Sequence, residues 1–93
     1  MLKILVAEDD TISRKLVTTI LEQLGFAVES FTNGAEAWEA FKKAPTSIVV
    51  TDWRMPELDG LALTRHIRSL QRDEYTYVIL LTANDASSEN YYA

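Results

Sequence analysis

Three short runs of apolar and β-branched residues, Ile4-Leu5-Val6-Ala7, Ile48-Val49-Val50-Thr51 (after Ser47) and Tyr77-Val78-Ile79-Leu80-Leu81, recur along the chain, with segments of helical period between them. This spacing constrains the fold more than any other feature. A strand without polar alternation is one buried on both faces, and a sheet buried on both faces is a parallel sheet carrying helices on each side. Phe26 to Phe31, with Val28 at its centre, reads as a further short strand between the first two runs.

The intervening segments carry their own punctuation. Ile12, Leu16, Val17, Ile20, Leu21 and Leu24 recur at helical spacing, with Arg14, Lys15 and Glu22 off that stripe, and Gly25 suits the helix end. Asn33 followed by Glu36 predicts a helix start, with Asn as cap and Glu reaching back; Ala37, Trp38 and Phe41 form its face, and Pro45 closes it. Asp59 is the cap expected for a third helix carrying Leu63, Ile67 and Leu70, and Ala86 to Ala93 is a polar tail with the start of a fourth. The order is β-α-β-α-β-α-β, an α/β chain whose parallel strands are joined by right-handed crossovers. A flavodoxin-like, doubly wound sheet of order 2-1-3-4 is the natural small version, although alternation by itself does not select it over other doubly wound orders.

Composition narrows the function classes. The 93 residues contain no cysteine, which excludes disulfides and thiolate metal sites and fits a reducing, cytoplasmic setting. No apolar run approaches the roughly 18 residues of a membrane span, and the N-terminus lacks a secretory pattern. With 14 acidic against 9 basic residues and a net charge of −5, no basic patch is present, so nucleic acid is not expected as a direct partner.

Chemistry concentrates where strands end. The first strand runs into Glu8-Asp9-Asp10, the third into Asp52 and the fourth into Thr82. In a parallel sheet these ends share one edge, and ligands bind there where the strand order reverses. Taken singly, Asp9 or Asp52 reads as an ordinary loop residue, and Asp10 and Asp59 read as helix caps. Jointly placed at adjacent strand ends, Asp9 and Asp52 favour a site. Crowded carboxylates either keep protons or share a cation, and an all-oxygen donor set fits Mg²⁺, with Mn²⁺ as a substitute. An aspartate beside such an ion can attack phosphorus, and Thr82 can donate a hydrogen bond to a phosphoryl oxygen.

Three separated segments carry a family resemblance. Ile4 to Asp10, Asp52-Trp53-Arg54-Met55-Pro56-Glu57-Leu58-Asp59-Gly60 and Leu81-Thr82-Ala83 together resemble the response-regulator receiver domain of two-component phosphorelays, over essentially the whole chain. The resemblance implies that Asp52 accepts a phosphoryl group from a histidine kinase or phosphotransfer protein. It implies that Asp9 binds Mg²⁺ directly, that Glu8 holds the ion through water, and that the Arg54 backbone carbonyl completes the protein ligands. Thr82 is then the switch hydroxyl, and the Arg54 and Asn84 side chains modulate phosphoaspartate lifetime. The family also has a fifth strand ending in a lysine and a fifth helix, for which residues up to Ala93 offer no counterpart. The expectation is therefore one receiver domain, residues 1–93, truncated before its fifth strand and without an effector domain. Its fourth strand would become an apolar edge open to self-association.

Two alternatives stand beside the phosphoacceptor switch. A Mg²⁺-dependent phosphatase with an aspartate nucleophile would carry a second aspartate two residues on, where this chain has Arg54. A phosphorylation-independent assembly fragment would follow from the missing lysine. The expected protein is a signalling module and not a conventional enzyme. His66, the sole histidine, reads as a boundary residue of the third helix, Trp38 and Phe41 as core, and Arg65, Arg68 and Arg72 as a solvated edge.

Overall fold

The computed structural model describes residues 2–81; Thr82, Asn84 and the tail with Tyr91-Tyr92 lie outside the described residues. The elements are β1 (Lys3–Ala7), α1 (Thr11–Gln23), β2 (Ala27–Phe31), α2 (Gly34–Lys43), β3 (Ile48–Asp52), α3 (Gly60–Ser69) and β4 (Tyr77–Leu81). All strand pairs are parallel, and the sheet order is β2-β1-β3-β4, the doubly wound order expected. No helix among the described residues is long and apolar enough to cross a membrane.

Local chemistry explains the helix boundaries. Asp10, Asn33 and Asp59 each occupy an N-cap in extended backbone, and their side chains accept from the N–H groups of Ser13, Glu36 and Ala62 at 2.7, 2.8 and 2.8 Å. α1 ends in a Schellman turn. Gly25 adopts φ 97°, its N–H donates to the Glu22 carbonyl, and that of Phe26 donates to Leu21.

Alternation along the strands divides the core in two. Leu5, Ala7 and Val49 face α2 and α3, where Ala37, Phe41, Leu63 and Ile67 complete a fully buried cluster. Trp38 stacks on Phe41 at the border of that cluster. Ile4, Val6 and Val50 face α1, which covers them with Val17 and Leu21.

Cover on the α1 side is partial. Of the six-residue apolar stripe read from the sequence, only Val17 and Leu21 pack against the sheet. Ile12 is 79% exposed, and Leu16, Ile20 and Leu24 are also open to solvent. The fourth strand, whose apolar run alone reads as buried on both faces, takes the edge position expected of it in this chain. Among the described residues β4 is an edge, with Tyr77, Ile79 and Leu80 exposed. A periodic pattern reports that a helix or strand is apolar, but what it packs against is set by neighbouring elements. The edge strand carries no charged residue or proline of the kind that commonly protects an edge.

Two glycines set the spacing around the loop that joins β3 to α3. A Cβ on Gly34 would overlap the Leu58 carbonyl, and one on Gly60 would overlap the Asp52 carbonyl. Trp53 fastens the same region. Its N–H donates to the Leu81 carbonyl at 3.0 Å, and its carbonyl accepts from the Gly60 N–H at 2.8 Å. Within the loop, Glu57 holds φ 71°, a left-handed conformation that a residue with a side chain rarely adopts.

Candidate functional site

Register builds the site. Ala7 pairs with Thr51, so the residues that follow them, Glu8 and Asp52, lie side by side at the C-terminal ends of adjacent strands, about one inter-strand spacing of ~4.8 Å apart. Asp9 comes next, before α1 begins. One carboxylate oxygen from each of Glu8, Asp9 and Asp52 lies within 4.8 Å of the others. Glu8 and Asp52 are buried, at 5% and 8% exposure, whereas Asp9 stands at the open side.

Backbone donors orient the acids. The Asp10 N–H donates to Glu8 Oε2 at 2.9 Å, and the Trp53 N–H donates to Asp52 Oδ1 at 2.8 Å. Burial pushes the Glu8 carboxyl up from its ordinary value of 4.5 to about 7. The Asp10 N–H opposes this rise; the charge of Asp52 and hydrogen bonds shared with Asp9 and Asp52 add to it. The buried cup thus holds more negative charge than it can comfortably keep. Three convergent carboxylates and no nitrogen or sulfur donor among them fit a hard divalent cation.

Each site residue expected from the sequence can be placed against this geometry. Glu8, Asp9 and Asp52 come together. Arg54 lies two residues beyond Asp52, in the β3–α3 loop, with its side chain exposed. Thr82 and Asn84 lie outside the described residues. Asp10 and Asp59 serve as the helix caps read from the sequence.

Arg14, which no sequence motif marks, also reaches the site: its Nη1 donates to the Glu8 carbonyl oxygen at 3.0 Å. Its only signal was a cation off the apolar stripe, one turn into the helix that follows the acidic pair. Arg68, exposed as expected of a solvated edge, and the half-buried Arg72 both anchor the segment before β4. Their guanidinia donate to the Thr76 carbonyl and hydroxyl, both at 2.7 Å, beside a hollow of about 250 Å³ under α3 that none of the clustered carboxylates lines. His66 is exposed, with Nδ1 2.8 Å from the Ala62 carbonyl and its ring edge-on to Trp38, as befits a boundary residue.

Comparison with known proteins agrees with this geometry. Residues 4–92 match the response regulator receiver domain family. The chemotaxis protein CheY1 of Helicobacter pylori is 34% identical over 90 residues, which cover 95% of this chain and 73% of that protein. A chain in the crystal structure of histidine kinase ThkA in complex with response regulator protein TrrA is 32% identical, with a TM-score of 0.80 over 96% of this chain and 76% of its own. The receiver domain of sensor histidine kinase PA1611 from Pseudomonas aeruginosa was crystallised with a magnesium ion coordinated in its active-site cleft. It is 28% identical, with a TM-score of 0.85 over 97% of this chain and 74% of its own.

Proposed function

Since the chain belongs to the response regulator receiver domain family, we propose that it is a phosphoacceptor switch in which Asp52 is the acceptor and Glu8, Asp9 and Asp52 form a Mg²⁺ site. The convergence of those three carboxylates at adjacent strand ends carries the reading. An Asp52 oxygen attacks the phosphorus of a phosphohistidine on a histidine kinase or phosphotransfer protein. The P–N bond breaks, the imidazole takes up a proton, and Asp52 becomes an acyl phosphate. Later attack by water on phosphorus restores the carboxylate and releases inorganic phosphate.

The chain's own groups prepare this transfer. The Trp53 N–H fixes the Asp52 carboxylate, and the wall of β1 and β3 excludes water from its buried side. Asp9 would supply a direct ligand oxygen for Mg²⁺, or for Mn²⁺, Glu8 would hold the ion through water, and the Arg54 carbonyl is assigned to the same shell. When bound, the ion neutralises charge on the transferring phosphoryl group. Thr82 is assigned as the switch hydroxyl, and Asn84 with the Arg54 side chain as modulators of the acyl phosphate. A magnesium ion in the cleft of the similar PA1611 domain supports the ion assignment, and the ThkA–TrrA complex supports a kinase as partner.

Phosphorylation then shifts the population between two surfaces, which a partner reads. The protein is a cytoplasmic signalling module in this reading, and self-association through β4 belongs to the same proposal. Sedimentation tests the self-association: a monomer at all concentrations rejects it. Intact mass after incubation with acetyl phosphate and Mg²⁺ tests the main reading. The expected result is a single added phosphoryl group on the wild type and none on Asp52→Asn. No addition to the wild type, or equal addition to the variant, overturns the acceptor assignment and leaves a phosphorylation-independent module.

A further inference from the structure

We infer that Arg14 is a positioning residue for the cation site, acting through the peptide unit that joins Glu8 to Asp9. Glu8 lies just past the last residue of β1, so its carbonyl leaves the ladder that pairs β1 with β3. The Glu8 N–H is satisfied by the Phe31 carbonyl at 3.0 Å, and the Glu8 carbonyl by Arg14 Nη1, also at 3.0 Å. A buried carbonyl without a donor is unfavourable, and a guanidinium is a strong one. Arg14 is itself fixed, because it sits in the first turn of α1 and its own N–H donates to the Asp10 carbonyl at 2.8 Å.

The covalent geometry explains why this bond matters for the ligands. The Glu8 carbonyl and the Asp9 N–H belong to one planar peptide. Holding its oxygen restrains the orientation of that peptide plane, and the plane sets how Asp9, and with it the Asp9 side chain, is turned relative to Glu8. One hydrogen bond therefore bears on how two of the three clustered carboxylates are set relative to each other, as an outer-shell partner orients a metal ligand.

Positioning and simple charge predict opposite signs. Arg14 is a cation close to a proposed cation site, so by Coulomb's law alone its removal should tighten divalent-ion binding. If its role is to aim the ligands, removal should weaken binding instead.

This inference rests on the metal site proposed above, and the test separates the two. Free Mn²⁺ is followed by electron paramagnetic resonance during titration of the 93-residue chain, with circular dichroism melting run on every variant. The wild type is expected to bind, and Asp9→Asn to lose binding. Arg14→Ala is expected to weaken Mn²⁺ binding by roughly tenfold or more, the range of outer-shell losses. Arg14→Lys, which keeps a charged donor, should recover most of that loss. Lys15→Ala removes the same charge from an exposed neighbouring position and should leave binding within about twofold of wild type, as expected of a screened surface charge.

Unchanged or tighter binding by a folded Arg14→Ala overturns the inference while leaving the site intact. Should Arg14→Ala fail to fold, a folded Arg14→Lys that binds no better than Asp9→Asn overturns it, and one that binds near wild type supports it. A wild type that binds no Mn²⁺, or an Asp9→Asn that binds as the wild type does, overturns both the inference and the site on which it rests.

Discussion

Replacing Asp52 by Asn should stabilise the metal-free protein, although it removes the proposed acceptor. Glu8 is held near 7 against an ordinary 4.5. At about 1.4 kcal/mol per pH unit, that displacement bounds the cluster's unfavourable energy at roughly 3–4 kcal/mol. Burial is the largest cause and survives the substitution. Asp52 contributes through its charge and a shared hydrogen bond, and solvent entering on the exposed Asp9 side screens part of that. About 1 kcal/mol is recoverable on this account, worth about 4–8 °C in Tm for a domain of this length. The amide retains an oxygen to accept from the Trp53 N–H, so the backbone contact is preserved.

The pH dependence has a definite sign. A carboxyl whose folded pKa is raised favours folding fully below about 4.5, and that contribution is lost as pH rises through about 7. The gain from Asp52→Asn should therefore be present near pH 8 in EDTA and small near pH 5, where the folded chain still holds the Glu8 proton. Circular dichroism melts at the two pH values, with and without Mg²⁺, measure it. Added Mg²⁺ should raise the wild-type Tm at pH 8 and raise that of the variant less. A lower Tm for the metal-free variant at pH 8, or an equal gain at both pH values, would refute the electrostatic account.

Gly34→Ala should lower stability by about 2 kcal/mol or more in urea unfolding, because the new methyl meets the Leu58 carbonyl, which is backbone and cannot swing aside. Leu63→Ala, in the closed core, should cost about 2–5 kcal/mol, whereas Ile12→Ala, on the open side of α1, should stay within about 0.5 kcal/mol. Asp59→Ala removes the α3 cap and should cost about 1 kcal/mol in the same assay.

What could be read from sequence was local, or followed from the parallel topology. Asp10, Asn33 and Asp59 were legible as caps because a cap is decided within three residues. The meeting of Glu8, Asp9 and Asp52 was legible because strand ends in a parallel sheet share an edge, so a correct order brings them together. Other features depended on distant partners. The apolar stripe of α1 gave no sign that Ile12 and Leu16 would face solvent while Val17 and Leu21 met the sheet. Nothing in the residues around Gly34 or Gly60 shows that at each a backbone passes too close for a side chain. Arg14 looked like a charge on the polar side of a helix, because its acceptor is a main-chain oxygen that no residue-type pattern reveals.

Trp53 lies between Asp52 and two other parts of the fold. It is bonded on one side to Leu81, the last residue of β4, and on the other to Gly60, where α3 begins. The β3–α3 loop is consequently closed at its neck by the bond from the Gly60 N–H to the Trp53 carbonyl. A displacement of residue 52 along β3 must either break one of those two bonds or drag both neighbours with it. Residue 52 is thereby tied, through the single peptide that follows it, to the start of a helix and the end of a strand at once.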